Sequence, residues 1–174
     1  MVISLLENSS LKSIEKRKMI EEAINSNATT INDIKAFKNV VDDKKMAIIL
    51  EAMEAVTAKN PKIADLEWLE FCQEFILSPS NNLKRESSRI VGNIAHLFPN
   101  DLEMPIRMLM ANTKNDSKVI RWGSTYAFAR IIAIPQHANS ELYERLKELC
   151  EREQDNGVKN QLLSGLKKAK KLRN

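Results

Sequence analysis

The chain has 174 residues, 43% of them hydrophobic, and a formal net charge of +4. This length fits one compact domain rather than two, and the four glycines and 5% aromatic residues argue against a β-rich fold. No apolar run reaches the roughly 18 residues of a membrane span, and the apolar residues 1–6 are too short for a signal peptide. We therefore expect a cytoplasmic helical protein that does not contact a membrane.

The first predicted helix lies over residues 11–25, within an N-terminal segment (residues 1–27) that precedes the repeated part of the chain. Ser9 or Ser10 can cap its start, because a short hydroxyl side chain accepts a bond from a free helix amide. This segment is expected to be a helix that covers the open end of the first repeat. The alternative is a helix that docks a partner, with its basic residues on the wet side: Lys16, Arg17 and Lys18.

A twelve-residue segment then recurs four times, starting at Lys45, Leu83, Ile120 and Val158, with separations of 38, 37 and 38 residues. Within each copy, positions 1, 5, 8, 9 and 12 form a stripe with helical period. The stripe is apolar or small except at Lys45, and its small residues let a neighbouring helix approach closely. A fixed period in this range indicates stacked helical units.

Four amphipathic segments lie before or between the copies: residues 28–41, 62–78, 101–113 and 139–152. Each predicts a helix that pairs with the copy following it. An Asp or Asn precedes each copy and is the predicted helix cap: Asp43, Asn82, Asp116 and Asp155. Three prolines recur with the repeat and can end one helix or begin the next: Pro61, Pro99 and Pro135.

The chain resembles the HEAT-repeat family. The resemblance is carried by Asp116 with IRWGSTYAFARI, by Asp155 with VKNQLLSGLKKA and by Asn82 with LKRESSRIVGNI. The HEAT-repeat pattern is similar to these segments. It consists of an Asp, an aliphatic residue followed by a basic one, small residues, an Ala-Leu pair and an aliphatic residue. The basic position holds Lys84, Arg121 and Lys159, which we expect to bond the Asp or Asn of adjacent turns.

The resemblance covers roughly residues 28–172 and is weakest in the first copy, which has Met46 at the basic position. It implies an all-α fold: a right-handed α-solenoid of about four HEAT-like helix pairs, with the repeated segments as inner helices on the concave side. The implied organisation is an N-terminal capping helix over residues 1–27 and a repeat array over residues 28–174. It implies no particular activity, because a fold does not determine a function.

Positions 3, 7 and 11 of the copies lie away from the buried stripe and are the candidates for the concave surface. In the two central copies they combine cationic and aromatic side chains, which is typical of interaction hot spots and suits acidic peptides, phosphates or stacked bases. The predicted binding residues are Arg85, Arg89, Asn93, Trp122, Tyr126 and Arg130. Trp122 can instead pack between repeats as part of the core.

The C-terminal end is a second candidate. Residues 159–174 hold six basic and no acidic residues. They can be a solvated helix whose cations complement its negative end, or a site that attracts nucleic acid or an acidic protein. The residues of this predicted basic tail are Lys167, Lys168, Lys170, Lys171 and Arg173.

Catalytic and metal-binding patterns have little support. His96 and His137 have no Cys or His at metal-ligand spacing, and there is no CxxC, HExxH or phosphate-binding loop. We expect His137 to face solvent, and Cys72 and Cys150 to be buried and reduced. We therefore expect no cofactor, no metal and no enzymatic activity.

The expected function is a monomeric adaptor or scaffold that binds an acidic or mixed protein partner through the concave surface. The alternatives are a nucleic-acid-binding module, a HEAT-like alkylpurine DNA glycosylase and, more remotely, a protein of the HEAT-like bilin-lyase type. The glycosylases use a concave tryptophan, an arginine and an acid. The acid is missing from the expected groove, because the phase of Glu86, the nearest candidate, points elsewhere.

Overall fold

The computed structural model describes residues 1–173, and the regular structure in this part of the chain is entirely helical. Two short 3₁₀ helices, Pro61–Ile63 and Ala95–Leu97, accompany the α-helices. The α-helices are α1 (Val2–Glu7), α2 (Ser13–Asn25), α3 (Ile31–Phe37), α4 (Asp43–Lys59), α5 (Leu66–Gln73), α6 (Asn81–Ile94), α7 (Glu103–Asn112), α8 (Lys118–Ile131), α9 (Pro135–Ala138), α10 (Leu142–Arg152) and α11 (Asn156–Lys170).

The five longest helices form a row in which α2 packs against α4, α4 against α6, α6 against α8, and α8 against α11. Three shorter helices each pack against the long helix that follows: α5 on α6, α7 on α8 and α10 on α11. The repeated segments of the sequence are therefore helices α4, α6, α8 and α11, which we call the long helices. The all-helical prediction is confirmed.

Contacts between residues one sequence period apart hold the row together. A Cβ built on Gly165 would lie 2.5 Å from Ala129 Cα, and one on Gly92 would lie 2.8 Å from Ala127 Cα, so the backbones of neighbouring long helices nearly touch. In the shorter helices, the buried Asn112 side chain donates to the carbonyl oxygen of Ile76 at 2.6 Å. Residues 35 or 36 positions apart, close to one period, thus lie side by side in successive repeats.

The predicted stripe is the core of each long helix. Positions 5, 8, 9 and 12 are buried in all four copies, except for the partly buried Leu166. Phe128, at position 9 of α8, is fully buried. Burial of such a side chain supplies about 1.5–3 kcal/mol of hydrophobic stabilisation. Lys45 is only partly buried, which fits its poor match to the stripe.

The helix caps differ from the prediction at most sites. Asp155 caps α11 as expected, accepting from the Val158 amide at 3.0 Å. Asp42, not Asp43, caps α4 by accepting from the Lys45 amide at 2.9 Å. Asn82 lies inside α6 rather than before it. Before α8, Asn115 rather than Asp116 makes the side-chain bond at the helix start. Asn115 Oδ1 accepts a hydrogen bond from the backbone amide of the N-cap residue at 2.9 Å. Several adjacent Asp, Asn and Ser side chains can make these bonds, so local spacing alone does not select one.

The N-terminal segment contains two helices rather than one. Helix α1 precedes α2 and packs on it, because Val2 and Leu6 are buried against the core. Helix α2 begins at Ser13, and neither Ser9 nor Ser10 caps it. Its start is satisfied by Glu15, whose carboxylate accepts from the Lys12 amide at 2.7 Å.

Candidate functional site

One surface of the long helices carries positions 3, 7 and 11. The predicted binding residues of α6 and α8 meet there, together with acidic residues of α4 and α6. We call this group the central cluster. Its members are Arg85, Arg89, Asn93, Trp122, Tyr126 and Arg130 with Glu51, Glu54 and Glu86.

The aromatic part of the central cluster lies on α8. Trp122 and Tyr126 are one helical turn apart, and their ring centroids are separated by 5.4 Å. The Arg130 guanidinium stacks on Tyr126 with its carbon 3.5 Å from the ring centroid. Arg89 approaches the same ring from α6 at 5.6 Å. Both rings remain partly exposed, so a partner can reach this part of the surface.

The arginines of α6 are held by glutamates. Arg89 donates to Glu54 at 2.9 Å and to Glu86 at 3.0 Å. Arg85 contacts Glu86 at 2.5 Å and Glu51 at 3.9 Å. Three carboxylates thus surround two guanidinium groups, and Glu86 itself is only 1% exposed. The cationic patch expected from the sequence is neutralised at this end.

Glu86 is buried, so its phase points away from the exposed stripe as expected, but its carboxylate nevertheless contacts Arg85 and Arg89. It occupies position 4 of α6, between the exposed stripe and the neighbouring helix, so its flexible side chain reaches both arginines of its own helix. Sequence phase missed Glu54 for a similar reason. Glu54 is at position 10 of α4, which faces α6, and it crosses the helix–helix boundary to reach Arg89. The sequence signal that could have indicated this pair is a glutamate and an arginine about one period apart in adjacent copies.

Asn93 ties three helices together beneath the rings. The Tyr126 hydroxyl donates to Asn93 Oδ1 at 2.7 Å. Asn93 Nδ2 donates to Thr57 Oγ1 at 3.2 Å and contacts the carboxylate of Glu54 at 3.4 Å. Because Asn93 is 8% exposed, these bonds satisfy a buried amide and fix the position of the Tyr126 ring.

Burial controls the protonation of the cluster. Desolvation raises the pKa of the Glu54 carboxyl above its ordinary value, and Arg89 and Asn93 only partly offset this. Desolvation also raises the pKa of Glu51, with a further contribution from the negative charge of Glu86. Burial likewise raises the pKa of the Tyr126 hydroxyl, which is therefore a hydrogen-bond donor at neutral pH.

The basic tail is divided in the structure. Arg173 folds back onto α10, where its guanidinium carbon lies 4.0 Å from the Tyr143 ring centroid and its Nη1 donates to the Ala138 carbonyl at 3.0 Å. The other members are exposed. Lys168 lines the same surface pocket as Arg130 of the central cluster, whereas the remaining tail lysines do not line it. Those remaining lysines are Lys167, Lys170 and Lys171.

The predicted ladder of basic residues is present at one position and takes a different form. Arg121 makes a two-pronged bond to Glu153, at 3.0 and 3.2 Å, and donates to two backbone carbonyls at the start of α8, without bonding an Asp side chain. Burial alone raises the pKa of Glu153, but hydrogen bonds from Arg121 and the Asp155 amide outweigh it and hold this pKa below its usual value. Lys84 and Lys159 make no comparable side-chain bond within residues 1–173.

Three other predicted residues are placed by the structure. His137 was expected to be a solvent-facing loop residue; it is partly exposed, lies in a short helix, and its Nε2 contacts the Pro99 carbonyl oxygen at 2.9 Å. The loop expected there contains helix α9. Cys72 and Cys150 are buried free thiols, and desolvation raises the pKa of both.

A surface groove of about 640 Å³ lies between α7 and α10, and the sequence did not indicate it. Its apolar wall includes Ile106, Met110 and Leu142. Gln136 and His137 bridge one end by bonding the carbonyl oxygen of Pro99. Arg107, on its rim, is paired with Glu103 of the same helix at 3.1 Å.

No family model and no curated protein matches the chain. None of the helices among residues 1–173 combines the length and apolar character needed to cross a membrane. The same residues include no group of three or more His, Cys, Asp or Glu side chains positioned to hold a metal ion.

Proposed function

We propose that this chain is a HEAT-like α-solenoid that acts as a monomeric, non-enzymatic adaptor in the cytoplasm. In this proposal the row of long helices is right-handed, its surface of positions 3, 7 and 11 is concave, and residues 1–27 cap the array. The support is the ordered packing of α2, α4, α6, α8 and α11, together with contacts joining residues one period apart.

The observation that carries the binding role is the stack of Trp122, Tyr126 and Arg130 on α8. Trp, Tyr and Arg side chains dominate the energetics of protein interfaces. The aromatic ones offer a large contact area with few rotatable bonds. Here Tyr126 is fixed from below by Asn93 at 2.7 Å and covered on one side by Arg130. A partner that covers these rings would gain contact area at little cost in side-chain entropy.

The partner that suits this surface has mixed character. Arg85 and Arg89 are neutralised by three glutamates, so they offer hydrogen-bonding edges rather than free charge. A strongly acidic partner would have to approach Glu51 as well, which is only partly buried. We therefore propose that the Trp122 and Tyr126 rings contact an apolar or planar group of the partner.

The chain offers a direct optical test, because its two tryptophans differ in exposure. Trp68 is 4% exposed, whereas Trp122 is partly exposed on the proposed surface. In the Trp68→Phe variant, the remaining fluorescence reports on Trp122 alone. A purified candidate partner should shift this emission on titration, and the Trp122→Ala variant should bind it at least tenfold more weakly.

Site-specific cross-linking supplies the matched control. A photo-reactive benzoylphenylalanine replaces Trp122 in one sample and Leu77, which is 50% exposed after α5, in the other. A partner cross-linked at position 122 but not at position 77 supports the proposal. A partner cross-linked at position 77 alone would place the interface elsewhere and refute it.

A second candidate function is nucleic-acid binding, including the alkylpurine DNA glycosylase type, and Glu54 is the observation that favours it. The acid missing from the expected groove is Glu54, which contacts Arg89, and the Arg89 guanidinium carbon lies 6.0 Å from the Trp122 ring centroid and 5.6 Å from that of Tyr126. Two facts weigh against a catalytic role. Glu54 is 7% exposed, and its carboxylate is already engaged by Arg89 and Asn93.

Salt dependence and product release separate the two candidates. A nucleic-acid binder that contacts several phosphates loses affinity steeply between low and physiological salt. A glycosylase would release alkylated bases from methylated DNA, and Glu54→Gln would stop the release. Protein binding with a much shallower salt dependence and no base release is the result expected from an adaptor.

A further inference from the structure

A small pocket of about 260 Å³ lies where the C-terminal parts of α6, α8 and α11 meet. Three basic or protonatable side chains from three separate segments line it: His96 from the turn after α6, Arg130 from α8 and Lys168 from α11. The rest of the lining is neutral, comprising Gly92, Asn93, Ala129, Ala133 and Ile134. We call this the basic pocket.

The basic pocket differs from the α6 end of the central cluster in having no carboxylate in its lining. Within residues 1–173, neither Lys168 nor His96 has an ion-pair partner. Arg130 donates to the Tyr126 carbonyl at 3.3 Å and stacks on the Tyr126 ring. Arg130 lowers the pKa of the Glu54 carboxyl, but that carboxylate is paired with Arg89 and does not line the pocket.

Close helix packing brings these charges together. A Cβ on Gly165 would lie 2.5 Å from Ala129 Cα, so α11 approaches α8 almost to backbone contact. Lys168 follows Gly165 by one turn, and Arg130 follows Ala129 directly. The stack on Tyr126 already fixes the Arg130 guanidinium, so an anion arriving there would meet a pre-oriented donor.

We propose that the basic pocket binds a carboxylate from an acidic side chain of the partner protein, beside an apolar group that lies on Trp122 and Tyr126. This inference rests on the proposed adaptor function and specifies the chemistry of its partner. Arg130 supplies a guanidinium fork that suits a carboxylate. Lys168 adds an ammonium that has no acidic partner among residues 1–173.

The competing explanation is that these cations only stabilise helix ends, because positive side chains are favourable near helix C-termini. The last turn of α11 offers a matched pair of residues to test this. Lys168 and Lys170 both lie in that turn, but only Lys168 lines the basic pocket. If these cations only stabilise the helix end, Lys168→Glu and Lys170→Glu should have equal consequences.

The test uses the full chain and three probes: an acetylated Trp-Glu-Glu-Glu peptide, inorganic phosphate and a thymidine oligonucleotide. Binding is followed by amide NMR shifts at Gly92, Ala129 and Lys168. We expect the peptide to shift these amides and phosphate to compete weakly. We expect Lys168→Glu to weaken peptide binding about tenfold, because it removes one attraction and adds one repulsion, and Lys170→Glu to weaken it less than twofold. The melting temperature of each variant checks that it is folded.

Each outcome is decisive. Equal losses from the two lysine variants, or no shift with any probe, would overturn the basic pocket as a carboxylate site. Tighter binding of the oligonucleotide, with a steep salt dependence, would assign the pocket to phosphates of nucleic acid instead. If the peptide result fails while a partner still cross-links at position 122, the adaptor function stands and only the carboxylate inference falls.

Discussion

The two ends of the candidate surface carry similar sequence signals and have different physical properties. At the α6 end, Arg85 and Arg89 are enclosed by three glutamates. At the α11 end, Arg130 and Lys168 share a pocket that contains no carboxylate. The comparison shows that a run of basic residues in a sequence predicts where positive charge lies, but not whether that charge is free to bind a ligand. Packing between helices decides which of these cations can meet a ligand.

The difference follows from desolvation. A partly buried guanidinium without a counter-ion is costly, so the arginines nearest to α4 require acids from the adjacent helix. Cations at the end of the row keep enough water to remain unpaired. The α6 end is therefore internally paired, whereas the α11 end retains capacity to bind.

The largest effect is expected from Glu86→Ala. This change leaves Arg85 and Arg89 without their shared carboxylate, which is 1% exposed. Breaking such a pair costs about 3 kcal/mol, the lower part of the range for buried ion pairs, because both arginines keep some exposure. Urea unfolding measures the loss.

Arg130→Gln is the counterpart at the other end of the surface. It should change the free energy of unfolding by less than about 1 kcal/mol, because Arg130 is exposed and has no carboxylate partner in the described part of the chain, residues 1–173. Equal losses from Glu86→Ala and Arg130→Gln would show that the two ends do not differ in the way that we describe.

A smaller loss is expected from Gly165→Ala, which tests the contact that brings Lys168 beside Arg130. The added methyl group would meet Ala129 backbone at 2.5 Å, so α11 must move away from α8. We expect a cost of about 1–3 kcal/mol, as for other overpacked sites, and a melting temperature lower by several degrees.

Gly123→Ala is its control in the adjacent helix. A Cβ there meets Arg85 at an ordinary 3.5 Å. Because alanine favours a helix by up to about 1 kcal/mol over glycine, this variant should be neutral or more stable. If Gly165→Ala were also neutral, the close approach of α8 and α11 would be wrong.

Much of the fold could be predicted from the sequence, because periodicity is a local signal. The stripe with Phe128 at its centre is buried as the spacing indicated. Three of the four caps, helix α1 and helix α9 were missed, because neighbouring polar residues compete for each cap and short helices depend on tertiary contacts. Of the site, the sequence found the cations and rings but not Glu54 or Glu86. Their partners lie across a helix boundary or off the exposed stripe, and phase alone does not report such contacts.

The third prediction uses pH to separate two arginine–glutamate pairs. The raised pKa of Glu54 means that the folded state holds this proton more tightly than the unfolded state does. Stability therefore falls as pH rises from the unfolded value of 4.5 through the folded pKa. Glu153 has a lowered pKa, so its contribution is present above 4.5 and is lost as pH falls through its folded pKa.

Two variants test these signs. Glu54→Gln should flatten the decline of stability above pH 4.5, and Glu153→Gln should flatten the decline below it. Chemical unfolding at closely spaced pH values measures both. Parallel pH profiles for the two variants would contradict the different environments that we assign to these carboxylates.

The smallest effect is expected from Tyr126→Phe, at the boundary between the two ends. The change removes only the hydroxyl that donates to Asn93 at 2.7 Å and keeps the ring on which Arg130 stacks. It should cost about 1 kcal/mol of stability, the usual net value of one hydrogen bond. Partner binding should be nearly unchanged, whereas Tyr126→Ala should weaken it strongly because it removes the ring. Fluorescence titration of both variants in the Trp68→Phe background shows whether partner binding depends on the ring or on the hydroxyl. If Tyr126→Phe lost binding as fully as Tyr126→Ala, the partner would depend on the hydroxyl and its Asn93 bond, and the α6 end would be part of the binding site.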